Sequence, residues 1–164
     1  MKKSKNAFTM IEMIFVIVVL GILAAIAVPK LAATRTDAEI SKGIADVASV
    51  RSAIITERQS RLIIGCPDYI PNGTGTYTCN GNTYNQMDNG GLFGGVLMYP
   101  IENRAGVNGK WSSSAAGTYK FRVNNIDVVF TYYDSTEADV SKRGTFTCST
   151  TNGTYGEMCK LLIN

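Results

Sequence analysis

One carboxylate stands at the head of a run that otherwise carries no charge. Glu12 follows Phe8-Thr9-Met10-Ile11 and precedes Met13 to Val28, an unbroken stretch of apolar and small residues. A carboxylate at mid-membrane costs on the order of 2.5–3.5 kcal/mol, less near the interface. An acid kept there needs a cation, and no side chain in the run supplies one. A backbone amine would serve. Were the chain cut before Phe8, the new α-amino group would lie four residues from Glu12 on the same helix face. It could pair with its own Glu12 or with that of a neighbouring chain.

The other candidate chemistry is sparse. There is no histidine, which removes Ser-His-Asp and Cys-His nucleophile systems and imidazole bases. No nucleophile–base set can be named, so no enzyme is expected. The four cysteines, Cys66, Cys79, Cys148 and Cys159, form no Cys-x-x-Cys pair, and without histidine a zinc site fits poorly. Outside the cytoplasm disulfides are the expected state. Three connectivities are possible, and proximity along the chain favours Cys66–Cys79 with Cys148–Cys159. Asp134, Glu137 and Asp139 fall in one loop and offer oxygen ligands to a hard cation, but Lys142 and Arg143 follow at once. No cofactor is expected, with calcium at these three acids as the alternative.

The elements that must carry these residues can be read from pattern. Of 16 Lys and Arg, three (Lys2, Lys3 and Lys5) precede the apolar run, and the remainder balance the 13 Asp and Glu. The net charge of +3 is therefore a property of the N-terminus and not of a nucleic-acid surface. Lys110-Trp111 with Lys120 and Arg122 is the one basic–aromatic grouping, and Trp111 suits a core better. Phe8 to Val28 is long enough to cross a bilayer as a helix, and the lysines before it place the N-terminus in the cytoplasm. Gly21 weakens this helix, and Pro29 deprives the Ala25 carbonyl of its partner. Residues 21–29 thus form a kink or a stretch that can unwind.

After Pro29, Ile40, Ile44, Val47, Val50 or Arg51, and Ile54 recur at helical spacing, and Gly65 with Cys66-Pro67 mark a stop near Ile64. Residues 65–117 are rich in Gly, Asn, Thr and Ser, with Leu92-Phe93 and Val96-Leu97-Met98-Tyr99 as apolar anchors of a long excursion. Thr118–Val123 and Ile126–Tyr133 read as strands joined by a tight Asn124-Asn125 turn. Phe121, Val123, Val129 and Tyr133 are assigned to the face against the helix. Gly144–Cys148 reads as a third strand, and Tyr155–Leu162 as a fourth strand or closing segment.

Ala7-Phe8-Thr9-Met10-Ile11-Glu12-Met13, with Val18 to Val28 and Pro29 behind it, resembles the prepilin signature shared by type IV pilins and type II secretion pseudopilins. The resemblance covers about a fifth of the chain. It implies an α+β fold: a long N-terminal helix, membrane-spanning in its first half, with a small antiparallel sheet head packed on its C-terminal half. The implied organisation is a leader at 1–7, a transmembrane and filament-core helix at 8–29, and a periplasmic or extracellular head at 30–164. In that family a prepilin peptidase would cut between Ala7 and Phe8 and methylate the Phe8 amine. Gly is usual before the cut, and Ala7 keeps a small residue there. Glu12 would neutralise the Phe8 amine of an adjacent subunit during assembly.

The expected function is a structural subunit of a type II secretion pseudopilus or type IV pilus-like filament. The expected partners are copies of itself, other pilins or pseudopilins, the peptidase and an inner-membrane assembly platform. Its place would be the bacterial inner membrane, with the head periplasmic, and then a filament in the periplasm or at the cell surface. The alternative is a secreted or membrane-anchored binding module, such as an adhesion or DNA-uptake minor pilin. Two other readings of the N-terminus compete with the filament one. A secretory signal peptide would be cut at Ala25-Ile26-Ala27, and a plain anchor would leave Glu12 unanswered.

Overall fold

A computed structural model describes residues 8–151 and 153–163, without the side chains of residues 32 and 33. The expected leader, Ala7 included, lies outside them. Contacts divide the chain between Asp37 and Ala38, and the two units are taken in turn.

The first unit is helical. Helix α1 (Met10–Ile63) starts on Thr9, whose hydroxyl accepts the N–H of Glu12 at 3.4 Å and whose carbonyl accepts the N–H of Met13 at 3.3 Å. Satisfying donors at a helix start is what an N-cap threonine does. Gly21 and Pro29 both stand within the helix. Every large apolar side chain from Met10 to Val28 is exposed, from 38% at Val19 to 85% at Met10. This first stretch of the helix is apolar on all sides, and α1 is long and apolar enough to cross a membrane by length and composition.

In the second unit the rest of α1 meets two small sheets. Strands β1 (Thr76–Cys79) and β2 (Asn82–Asn85) form a hairpin. Strands β3 (Trp111–Ala115), β4 (Thr118–Val123), β5 (Ile126–Tyr132) and β6 (Phe146–Cys148) form an antiparallel sheet in the order β3-β4-β5-β6. Helix α2 (Gly153–Ile163) closes the chain. It corrects the expected fourth strand at Tyr155–Leu162. Gly156, Cys159 and Leu162 face inward at helical spacing, and a short run of this kind has no period long enough to separate the two states by sequence.

The β4–β5 register also corrects an expectation. Asn124 and Asn125 both take positive φ, 48° and 63°, as a two-residue hairpin turn requires. Val123 therefore pairs with Ile126, Phe121 with Val128, and Tyr119 with Phe130. Paired residues share a face, so the inward set is Tyr119, Phe121, Val123, Val128, Phe130 and Tyr132. Val129 points out and is 41% exposed, and Tyr133 is only partly buried. The helix face shifts likewise: Val47, Val50 and Ile54 are buried and Ile44 is exposed. Val50 takes the inward position left open between it and Arg51.

The core is aromatic. The ring centroid of Trp111 lies 4.9 Å from that of Phe121 and 5.3 Å from that of Phe130, and Phe93 stacks on Tyr119 at 4.3 Å. Gly43 lets α1 approach this layer. A Cβ there would lie 2.5 Å from Phe121 Cε1 and 2.6 Å from Leu162 Cδ2. The excursion of residues 65–110 is tied down at Ile70, Met87, Leu92 and Phe93, all buried, whereas Met98 and Tyr99 project outward at 87% and 79% exposure and do not anchor it. Arg61, 1% exposed, clamps the hairpin to α1. Its guanidinium donates to Glu57 Oε1 at 2.8 Å, to the Tyr77 hydroxyl at 2.6 Å and to the Asn85 carbonyl at 3.0 Å.

Asp88 is a buried acid of the head, 6% exposed. It accepts hydrogen bonds from the Phe93 N–H at 3.0 Å and from the Tyr119 hydroxyl at 2.9 Å. Burial pushes its carboxyl above the usual carboxylate range, against the pull of those two donors. A folded-state value above the unfolded one means that the native state holds the proton longer. This group's contribution to stability is therefore greatest below the unfolded value and declines as pH rises through the folded one. Asp88→Asn keeps an acceptor and removes that titration. The difference in urea midpoint between variant and parent is expected to move in the variant's favour as pH rises from about 4 to about 7. A constant difference across that range would refute the assignment.

Candidate functional site

The N-terminal turn of α1 holds the residues expected to act in assembly. Phe8 is 66% exposed, and Glu12 lies in the first turn of α1, also exposed. Thr9 and Glu12 sit at the N-cap and N3 positions, the spacing of a capping box. That Thr-x-x-Glu signal is legible in the sequence, and half of the box is formed: the Thr9 hydroxyl accepts the Glu12 N–H, while the Glu12 side chain gives no bond in return. The positive end of the helix dipole favours a carboxylate here. Among the described residues, the Glu12 carboxylate has no hydrogen-bond or ion-pair partner. The arrangement presents one anion at the start of an apolar rod, open to a cation brought by something else.

Gly21 has open space where a Cβ would be, and residues 21–29 are helical throughout. Disulfides join Cys66 to Cys79 and Cys148 to Cys159, with Cα–Cα distances of 5.8 and 5.9 Å. The first ties the end of α1 to β1, and the second ties β6 to α2. Loops of this length typically contribute about 2–4 kcal/mol when closed.

The three loop acids are used locally. Asp134 accepts from the Asn72 N–H at 3.1 Å and from the Thr136 N–H and hydroxyl at 2.9 and 2.6 Å. Burial works to raise its carboxyl, but these donors together hold it below the usual range. Asp139 caps the short 3-10 turn at Val140–Lys142 through the Ser141 hydroxyl and N–H, which lower its carboxyl. Glu137 Oε1 accepts the Asp139 N–H at 3.2 Å. Among the described residues, no group of three or more His, Cys, Asp or Glu side chains is placed to hold a metal ion.

The basic–aromatic grouping loses its aromatic member to the core. Trp111 is fully buried, its indole N–H donating to Asp46 Oδ2 at 2.9 Å. Lys110 pairs with Glu102 at 3.1 Å and Arg122 with Asp127 at 3.2 Å. The partly buried role of Asp46 and the buried roles of Arg61 and Asp88 escape a sequence reading, because a charged residue at one position in a polar stretch carries no mark of the partner that covers it.

Comparison with known proteins agrees with this geometry. The model of the prokaryotic N-terminal methylation motif matches residues 2–28. The chain is 40% identical over 85 residues to the type IV narrow pilus major component PilA5 of Thermus thermophilus, an alignment covering 51% of this chain and 72% of that protein. It is 36% identical over 53 residues to the type II secretion system core protein G of Aeromonas hydrophila, covering 32% of this chain and 37% of the relative. The core protein G of Klebsiella michiganensis gives the same identity and coverage. The chain thus spans little more than a third of the length of these secretion proteins. No solved structure matches it. With an all-round apolar helix behind a methylation motif, an antiparallel head on the second half of that helix, and a pilin relative aligned over most of its own length, the chain belongs to the family of type IV pilins and type II secretion pseudopilins.

Proposed function

We propose that the chain is a structural subunit of a type II secretion pseudopilus or type IV pilus-like filament. In this reading it is cut between Ala7 and Phe8 by a prepilin peptidase and assembled through its N-terminal helix. The observation that carries the reading is the helix of residues 10–28, exposed on every side and free of charge except at Glu12. Water cannot be the working surroundings of such a rod, because leaving each large apolar side chain exposed forgoes about 1.5–3 kcal/mol of burial. A bilayer covers it before assembly, and the helices of neighbouring subunits cover it afterwards.

Glu12 makes the transfer specific. In the bilayer it sits near the head-group level, where its cost is small. In the filament it meets the methylated amine of a neighbour's Phe8, so a subunit enters only at the axial position where the two charges meet. The head remains on the periplasmic side and faces outward. Partners follow from this order: the peptidase first, then the inner-membrane assembly platform, then copies of the chain and related subunits. The family resemblance and the relatives named above support the same order.

The mature N-terminus tests this directly. Intact mass and N-terminal sequencing of the membrane-associated protein are expected to give N-methylated Phe8 as the first residue. A mature chain beginning with Met1, or at Val28 after the Ala-Ile-Ala site, would overturn the reading.

A further inference from the structure

We infer that the head carries a binding site for a small amphiphilic anion, a hydrocarbon chain ending in a carboxylate, between the second half of α1 and β6. The site is a cavity of about 450 Å³. Ile54 and Phe146, 2% and 3% exposed, contribute to its floor, and Ile55, 57% exposed, stands at its mouth. Arg51 and Lys142 bring two cations to the same cavity. β6 is an outer strand of the sheet, so the cavity opens along an edge that no neighbouring strand covers.

Arg51 gives the site its chemistry. Its Nε–H donates to the Phe146 carbonyl at 3.0 Å, which fixes the plane of the guanidinium against the strand. Its two terminal amino groups have no partner among the described residues. A planar fork held in place with free donors is built for a carboxylate, which it meets with two parallel charge-assisted hydrogen bonds. Lys142 is held at long range, 3.6 Å from Asp139 Oδ2 and 6.0 Å from the centre of the Tyr133 ring, and can turn toward the same anion. An apolar floor below a cationic rim sorts ligands by both ends. A plain hydrocarbon leaves the cations unanswered, and a small inorganic anion leaves Ile54, Ile55 and Phe146 uncovered. Pockets of this volume with a few convergent polar groups are typical of small-molecule sites.

Octanoate is the probe, with 1-octanol as its uncharged counterpart. The full chain, labelled at its isoleucine methyls, is titrated in nonionic micelles and followed by NMR. Saturable shifts are expected at Ile54 and Ile55, with 1-octanol at least tenfold weaker. Arg51→Gln is expected to weaken octanoate at least tenfold. Because that change also removes the bond to Phe146, Ile55→Glu serves as a second variant. It lies at the exposed mouth, leaves the floor intact and sets a like charge against the carboxylate, so binding is expected to vanish while the melting temperature holds. The proposal is overturned if Ile54 and Ile55 do not shift, if octanol binds as well as octanoate, if both variants bind like the parent, or if the shifts are confined to Ile14, Ile17 and Ile22 of the apolar helix.

Discussion

Glu12→Ala is expected to leave the protein processed, membrane-bound and folded, and to abolish its filaments. Removal of the side chain should not harm the subunit on its own. Glu12 is exposed, its carboxylate has no partner among the described residues, and its backbone N–H, not its side chain, makes the bond to Thr9. Taking a charge out of the apolar run lowers the cost of residence in the bilayer. The loss falls on the filament, where the amine of a neighbouring Phe8 would be left desolvated without its counter-ion. Breaking a buried pair by removing one member typically costs about 3–5 kcal/mol. At about 1.4 kcal/mol per tenfold, this raises the concentration needed for growth by a factor of more than about a hundred. Glu12→Gln keeps the shape without the charge and should fail in the same way. The measurement is the ratio of sheared filament to membrane-bound subunit by immunoblot, with the melting temperature of the head as control. Wild-type filament yield from either variant would show that charge pairing at Glu12 does not drive assembly.

Trp111→Ala is expected to cause the largest loss of stability in the head. The indole is fully buried against Phe93, Phe121, Phe130 and Phe146. Truncating a buried tryptophan to alanine costs about 3–5 kcal/mol through lost transfer energy and the cavity left behind. The Asp46 carboxylate also loses the indole N–H at 2.9 Å, though it keeps Lys42 at 2.7 Å. Against a typical stability of about 5–15 kcal/mol, this is a large fraction. Trp111→Phe fills most of the space and gives up the hydrogen bond, so its cost should be well under half as large. Urea unfolding followed by circular dichroism measures both. A loss below about 1 kcal/mol for Trp111→Ala would mean that the aromatic cluster repacks around the vacancy and does not fix the sheet against α1.

What the sequence determined by itself lies where the signal is local or periodic. The run from Phe8 to Val28 needs no partner in the chain to be recognised, because its apolar content is uniform and its single charge is conspicuous. The Asn124-Asn125 turn joins two β-branched and aromatic segments, so the hairpin was legible. Its register was legible as well, since a two-residue turn pairs Phe121 with Val128 and turns Val129 outward. The Val129 assignment failed because each strand was read by itself, without the arithmetic the turn imposes.

Only the tertiary structure decided the rest. Tyr155–Leu162 is helical because Cys159 and Leu162 dock against the core and the bridge to Cys148 holds the segment there, a contact eleven residues distant in sequence. Trp111 begins a strand because β4 lies beside it, and Ser112 to Ser114 have no strand propensity of their own. Arg61 and Asp88 are buried charges that no local pattern marks, since the Tyr77 hydroxyl, the Asn85 carbonyl and the Tyr119 hydroxyl that satisfy them arrive from other elements. Local pattern reports what one segment can do by itself. Burial and charge compensation are settled between segments, and there the folded chain alone supplies the partner.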